Sequence, residues 1–278
     1  MHDNVKNTLP DIMASANPFM DAQVSIPVVG IKNLKLPLTF SFSNALNSKL
    51  ETQIDVSVSL AQEARGINMS RFVELFSEST VLEYSWKALD ELAQRLCQLM
   101  GSKSCEIAFG FNYQIDQVSL RTQVRAPRFY PVKIQIKKEH NLPSRVSLNF
   151  SFLYSSVCPC SQLLSEHAET FRGVSAVPHS QRSLAVVDLT FAAQQLLTIE
   201  AVQSLLVSAL KTEVQTLVKR GDEQAFAELN AEHPKFVEDA VRLLYAELRK
   251  EPRIEHAQIK VTHFESLHEH DAVAELSY

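Results

Sequence analysis

The sequence predicts an α+β fold in which antiparallel sheets carry helix pairs on one face, with that arrangement occurring twice along the chain. Three observations lead there: alternating apolar and polar residues in several segments, helical periodicity confined to a few others, and an element order that repeats. Residues 52–60 place Ile54, Val56, Val58 and Leu60 on one face against Gln53, Asp55, Ser57 and Ser59. That is the pattern of a half-buried strand. The same alternation appears at 105–115, 118–124, 132–137, 146–154 and 184–191. Strands with one polar face belong to antiparallel sheets.

Apolar residues recur at helical spacing over 70–100, which reads as one or two helices with Ser70 as N-cap, and again over 199–219 and 235–248. Thr198 is placed to cap the second of these regions and Pro234 to open the third. The resulting order is strand, strand, helix pair, strand, strand, and then the same again. A first module is expected over residues 36–140 and a second over 143–278, with residues 1–35 as an N-terminal extension. Helices segregated from strands in this way cover one face of a sheet.

Composition narrows the function. With 278 residues, 45% of them hydrophobic and 21% charged, the chain has enough material for a sizeable core. A formal net charge of −5 argues against nucleic acid or an anionic membrane as the main partner. No apolar run approaches the roughly 20 residues that span a bilayer, and the opening stretch MHDNVKNTLPDIMASANP lacks an apolar signal core. A cytoplasmic protein with reduced cysteines is expected. The six glycines lie at least nine residues apart, so neither a phosphate-binding loop nor a dinucleotide fingerprint is present.

The residues that suggest chemistry cluster in the second half. Cys158 and Cys160, one proline apart in SSVCPCS, follow the strand 146–154, and His179 precedes the strand 184–191 in VPHSQRS. If those strands are antiparallel neighbours, the cysteine pair and His179 emerge at the same sheet end. Glu223 in KRGDEQ, Glu238 in PKFVED, and Glu265, His268 and His270 in HFESLHEH complete the set. A thiolate, an imidazole and a carboxylate suit a borderline-soft divalent metal, and an open fourth position would make such a site catalytic. Each residue also has a plainer reading. A reduced cysteine often behaves as a small hydrophobe, Glu238 complements a helix N-terminus, and His179 or Glu223 in a polar loop can simply be solvated.

In this order SSVCPCS, PHSQRS, KRGDE, PKFVED and FESLHEH, together with RGINMSRFVE at 65–74, resemble the type IB GTP cyclohydrolases over nearly the whole chain. The resemblance implies tandem tunnelling-fold modules, each ββααββ, and a homotetramer with active sites at subunit interfaces. It implies hydrolysis of GTP to 7,8-dihydroneopterin triphosphate and formate, leading into folate and queuosine synthesis, through a metal-activated water that attacks C8 of the guanine. Cys158, His179 and Glu223 would hold the metal, whether zinc, manganese or iron. Neither a nicotinamide nor a flavin is expected. Cys160 and His268 match proton-transfer positions, Glu265 a supporting carboxylate near His268, and Glu238 the carboxylate that accepts from the guanine N1–H and amine. Arg71 and Arg182 are candidates for the triphosphate, with Arg65, Lys219 and Arg220 behind them.

The chain departs from the family pattern in two places. Asn68 stands where histidine is frequent, and the eighteen residues between Cys160 and His179 suggest an insertion at 165–178. Two other readings share the fold or the ligand. A nicotinamide-dependent nitrile reductase of queuosine synthesis would carry a lysine-rich segment where this chain has ESLHEH. A non-catalytic pterin- or purine-binding protein would have no use for an open metal site.

Overall fold

The computed structural model describes residues 18, 22, 24–42, 47–77, 81–192 and 194–278. Most of the expected N-terminal extension lies outside them. The elements run β1 (Ile26–Ser41), β2 (Ser48–Leu60), α1 (Ser70–Ser77), β3 (Leu82–Glu83), α2 (Trp86–Met100), β4 (Cys105–Val118), β5 (Arg125–Lys138), β6 (Arg145–Val157), α3 (Pro159–Arg172), β7 (Ser180–Phe191), α4 (Ile199–Leu210), α5 (Arg220–Glu232), α6 (Val237–Leu248), β8 (Ile254–His263) and β9 (Ala272–Ser277). The mixed α+β class is as expected. The strands hydrogen-bond in the order β3-β1-β2-β4-β5-β6-β7-β8-β9. Two compact units divide the chain, Met1–Phe109 with Gln135–Arg145, and Gly110–Ile134 with Val146–Tyr278.

In the first unit, β1 and β2 form a long antiparallel pair, and β3 adds two residues parallel to β1. Gly30 pairs with Ser57 in the stretch between two register shifts. A Cβ on Gly30 would sit 1.9 Å from the Val56 carbonyl oxygen and 2.5 Å from the Ser57 Cα, so only glycine lets the strands approach here. Asn33, at φ 61°, follows within the second irregularity, its N–H held by Asp55 Oδ1 at 2.9 Å. The helical region 70–100 resolves into α1 and α2. Ser70 is not the cap expected of it. It is the first helical residue, and the Asn68 side chain accepts from its N–H at 3.2 Å. Ser85 caps α2 by accepting from the Ala88 N–H.

In the second unit β6, β7, β8 and β9 are successive antiparallel neighbours. Their buried face is built of apolar rungs: Leu148, Leu189 and Ala257; Phe150, Val187 and Ile259; Phe152, Ala185 and Val261. The buried residues of α4 and α6, among them Val202, Leu206, Val241 and Leu244, belong to the same apolar core. Thr198 caps α4 as expected, accepting from the Ala201 N–H.

Three local expectations fail, each for a visible reason. The expected strand 118–124 is instead the end of β4 and a turn, closed by the Ser119 hydroxyl, which accepts from the Val124 N–H at 3.0 Å. The helix expected to reach 219 stops at Leu210, because Lys211 adopts φ 65° and Thr212 pairs with the backbone of Ser155. The segment KRGDEQ, read as a loop, opens α5. The first part of the expected insertion is α3, with Pro159 at its first position and Gly173, at φ 63°, closing it. None of its residues is buried, and Leu163, Leu164 and Phe171 are each about two-thirds exposed or more.

Replacing Gly30 by alanine is expected to cost about 2–3 kcal/mol, at the high end for single substitutions, since the atoms in the way are backbone. Urea unfolding reads it. A variant within about 0.5 kcal/mol of the parent would mean that the strands are not so closely apposed.

Candidate active site

The antiparallel pairing of β6 with β7 runs from Ser147–Thr190 to Val157–Ser180. One step further, the Cys158 N–H donates to the His179 carbonyl at 3.3 Å. The two expected metal-binding residues therefore occupy the same end of the same strand pair. Strand alternation puts both on the face that buries Tyr154, Ser156, Gln181 and Ser183. Cys158 is also the N-cap of α3, yet its thiol makes no capping hydrogen bond, so the sulfur stays available. Cys160 lies in the first turn and is exposed.

On the other side β8 extends this corner. The Phe264 N–H donates to the Arg182 carbonyl at 3.2 Å, which carries Glu265 to the site. Its Oε2 lies 3.7 Å from His179 Nδ1, and Gln181 Oε1 lies 3.3 Å from the same nitrogen. A metal-binding histidine commonly spends its second nitrogen on a carboxylate or amide acceptor. The donors present thus suit a divalent ion at Cys158 Sγ and His179 Nε2.

Glu238 is exposed in the first turn of α6. The start of that helix is tied to the end of β6 by the Lys235 N–H, which donates to the Val157 carbonyl at 3.1 Å. Glu223 is exposed in the first turn of α5. Its neighbour Asp222 is fully buried and accepts from the backbone N–H groups of Arg121 and Thr122, both at 2.8 Å, and from the Thr122 hydroxyl. Among the described residues, no three Cys, His, Asp or Glu side chains gather closely enough to hold a metal ion. Cys158 and His179 are brought together; no described contact joins Glu223 to them. His268 is exposed in the β8–β9 connection, its ring stacked on His270 at 5.0 Å. Arg182 is exposed on β7, and Arg71, on α1 of the first unit, donates to the Leu99 carbonyl.

Residues 9–274 match the family described as type I GTP cyclohydrolase folE2. The chain belongs to that family. It is 38% identical over 276 residues to the GTP cyclohydrolase FolE2 of Paracoccus denitrificans, covering 99% of this chain and 85% of that protein. It is likewise 38% identical over 275 residues to the FolE2 of Dinoroseobacter shibae, covering 98% and 75%. Among solved structures, the uricase from Arthrobacter globiformis superposes with a TM-score of 0.53 at 7% identity, covering 96% of this chain and 95% of that one. That likeness concerns the fold alone and agrees with a tunnelling-like α+β architecture. No helix among the described residues is long and apolar enough to cross a membrane.

Sequence reasoning passed over the buried polar residues beneath this FolE2-family corner. Lys235 is 3% exposed, with its ammonium near the Thr212 hydroxyl at 3.4 Å and over the Tyr154 ring. Burial lowers its pKa to about 8. His263 is 2% exposed and bonded through Nε2 to the Tyr154 hydroxyl at 2.8 Å. Burial, reinforced by the Lys235 charge, lowers its pKa to about 4. A legible signal existed: the apolar face carried by Phe150, Phe152, Val187 and Ala185 turns to Tyr154, Ser156, Ser183 and Gln181 toward the cysteines.

His263 gives the fold a definite acid sensitivity. An unfolded histidine takes up its proton near pH 6.5, whereas the folded one resists until about pH 4. Its stabilising contribution is complete above about 6.5 and lost as pH falls toward about 4. The melting temperature of the protein is expected to drop across that window, and His263→Gln to flatten the slope. Parallel pH profiles for the two proteins would mean that His263 is not buried neutral.

Proposed function

We propose that this chain is a metal-dependent GTP cyclohydrolase I, hydrolysing GTP to 7,8-dihydroneopterin triphosphate and formate. Family membership carries the reaction. The observation that carries the site is the strand pairing that ends in Cys158 and His179, with Gln181 Oε1 within hydrogen-bond reach of His179 Nδ1 and Glu265 Oε2 nearby.

In this reading Cys158, His179 and Glu223 hold zinc, manganese or iron. The metal supplies a Lewis acid and makes water nucleophilic near neutral pH. Cys160, exposed two residues beyond Cys158, and His268, exposed in the β8–β9 connection, move protons as the imidazole ring of guanine opens. Glu238 accepts from the guanine N1–H and amine, which fixes the base relative to Cys158 through the Lys235–Val157 tether. Glu265 supports the site through His179, its observed neighbour, rather than through His268. Arg182 and Arg71 are assigned to the triphosphate by their charge.

Two further parts of the proposal concern architecture. The ββααββ modules repeat, with α3 and α5 as additions to the second. Copies of the chain assemble as a homotetramer with active sites at subunit interfaces. The exposed apolar side of α3 favours assembly of copies. The product would feed folate or queuosine synthesis.

The deciding experiment strips the protein with EDTA, restores zinc, manganese or ferrous iron, and follows formate and the fluorescence of the oxidised pterin. Metal-dependent release of both is expected. Formate without metal, or none with any metal, would overturn the mechanism. Cys158→Ala is expected to lose metal and turnover, and Cys160→Ala to keep metal while losing turnover; equal metal loss in both would end that division of roles. Glu238→Gln, which replaces one acceptor oxygen by a donor, is expected to lower kcat/KM about 100-fold, with metal content unchanged.

A further inference from the structure

A line of polar side chains leads from His179 into the core. Gln181 Oε1 is 3.3 Å from His179 Nδ1, and Gln181 Nε2 donates to the Ser156 hydroxyl at 2.9 Å. Ser156 and Ser183 are joined hydroxyl to hydroxyl at 2.8 Å. Tyr154, the cross-strand partner of Ser183, bonds to His263 Nε2 at 2.8 Å. Gln181 is 8% exposed, His263 is 2% exposed, and Ser156, Ser183 and Tyr154 are fully buried. Water has little access to these groups, and a buried donor left without an acceptor is costly.

The Gln181 amide fixes the direction of the line at its His179 end. His263 is neutral at working pH, so its Nε2 can accept from Tyr154. At the other end Ser156 accepts from the Gln181 amide and shares a hydroxyl–hydroxyl bond with Ser183. The amide has then spent its donor side inward, and only its carbonyl oxygen faces His179. A carbonyl oxygen accepts and never donates. The nitrogen opposite it must therefore carry the proton.

We propose that Gln181 is a positioning residue that locks His179 in its Nδ1–H tautomer, leaving the Nε2 lone pair free for the metal. This inference rests on the metal-site reading for its purpose, not for its geometry. Glu265, at 3.7 Å, adds a second acceptor on the same nitrogen. Among the described residues it has no clamp comparable to the Ser156 bond that fixes the Gln181 amide. Pre-setting the tautomer spares the site a proton rearrangement when metal binds, and second-sphere partners of this kind typically govern metal affinity by about 10- to 100-fold.

The test is nitrogen NMR of the imidazoles in 15N-histidine-labelled, EDTA-treated protein, which reports the protonated nitrogen without metal, GTP or turnover. His179 is expected as the Nδ1–H form in the parent. In Gln181→Met, of similar length, it is expected to revert to a mixture rich in Nε2–H, with zinc affinity reduced about 10- to 100-fold. Ser156→Ala, which releases the amide clamp without touching His179, should move both readings the same way by less. An Nε2–H form in the parent would overturn the proposal. So would an Nδ1–H form that survives Gln181→Met but not Glu265→Gln, since Glu265 would then be the orienting group. If Gln181→Met does not fold, the parent spectrum and Ser156→Ala still decide. Lack of cyclohydrolase activity alongside an Nδ1–H spectrum would count against the proposed function and leave the tautomer lock intact.

Discussion

The register of β6 against β7 is the constraint from which the rest of this corner follows. Side chains alternate faces, so a slip of one residue would send Cys158 and His179 to opposite sides of the sheet. The slip is prevented far from the site. Three successive rungs of Leu, Phe, Val, Ile and Ala fill the buried face, and shifting either strand would put Ser, Asn and Asp there instead. Apolar burial over the length of the strands thus fixes the position of two polar side chains at their end, where little apolar surface remains to hold them directly.

That division of labour explains what the sequence could and could not reveal. Alternation is a short-range signal, and β2, β5, β6 and β7 were legible from it, as was the meeting of Cys158 with His179. The segment 118–124 imitated a strand because Leu120 and Val124 keep the spacing, but a turn forms where Ser119 and the buried Asp222 carboxylate satisfy its backbone. Helix α5 escaped notice because its sequence, RGDEQAFAELNAE, has only one buried residue, and that one is Asp222. Helix α4 was overextended because Leu217 continues the period, whereas the pairing of Thr212 with Ser155 ends the helix earlier. In both helices the deciding partner lies tens of residues away, out of reach of a local pattern.

The site residues divide along the same line. The cysteines, His179 and the acidic residues stand out in the sequence because their chemistry is conspicuous at any position. Gln181, Ser156 and Ser183 are ordinary surface types in a sequence, and their importance appears only when strand pairing buries them together. Lys235 is similar. It sits in PKFVED beside the more conspicuous Glu238, yet its backbone ties α6 to β6 and its amine lies among Thr212, Tyr154 and His263.

The polar rungs set a definite electrostatic order in this corner. Lys235 and His263 share one buried region, and two cations there would repel strongly at low effective dielectric. Burial and the Lys235 charge together keep His263 unprotonated, at a pKa of about 4. A neutral His263 can accept from the Tyr154 hydroxyl, 2.8 Å from its Nε2. Removing the amine would ease protonation of His263, which as a cation can only donate and would oblige Tyr154 to turn its hydroxyl proton elsewhere. The hydrogen-bonding role of Tyr154 is thereby coupled to the charge of an amine in the core.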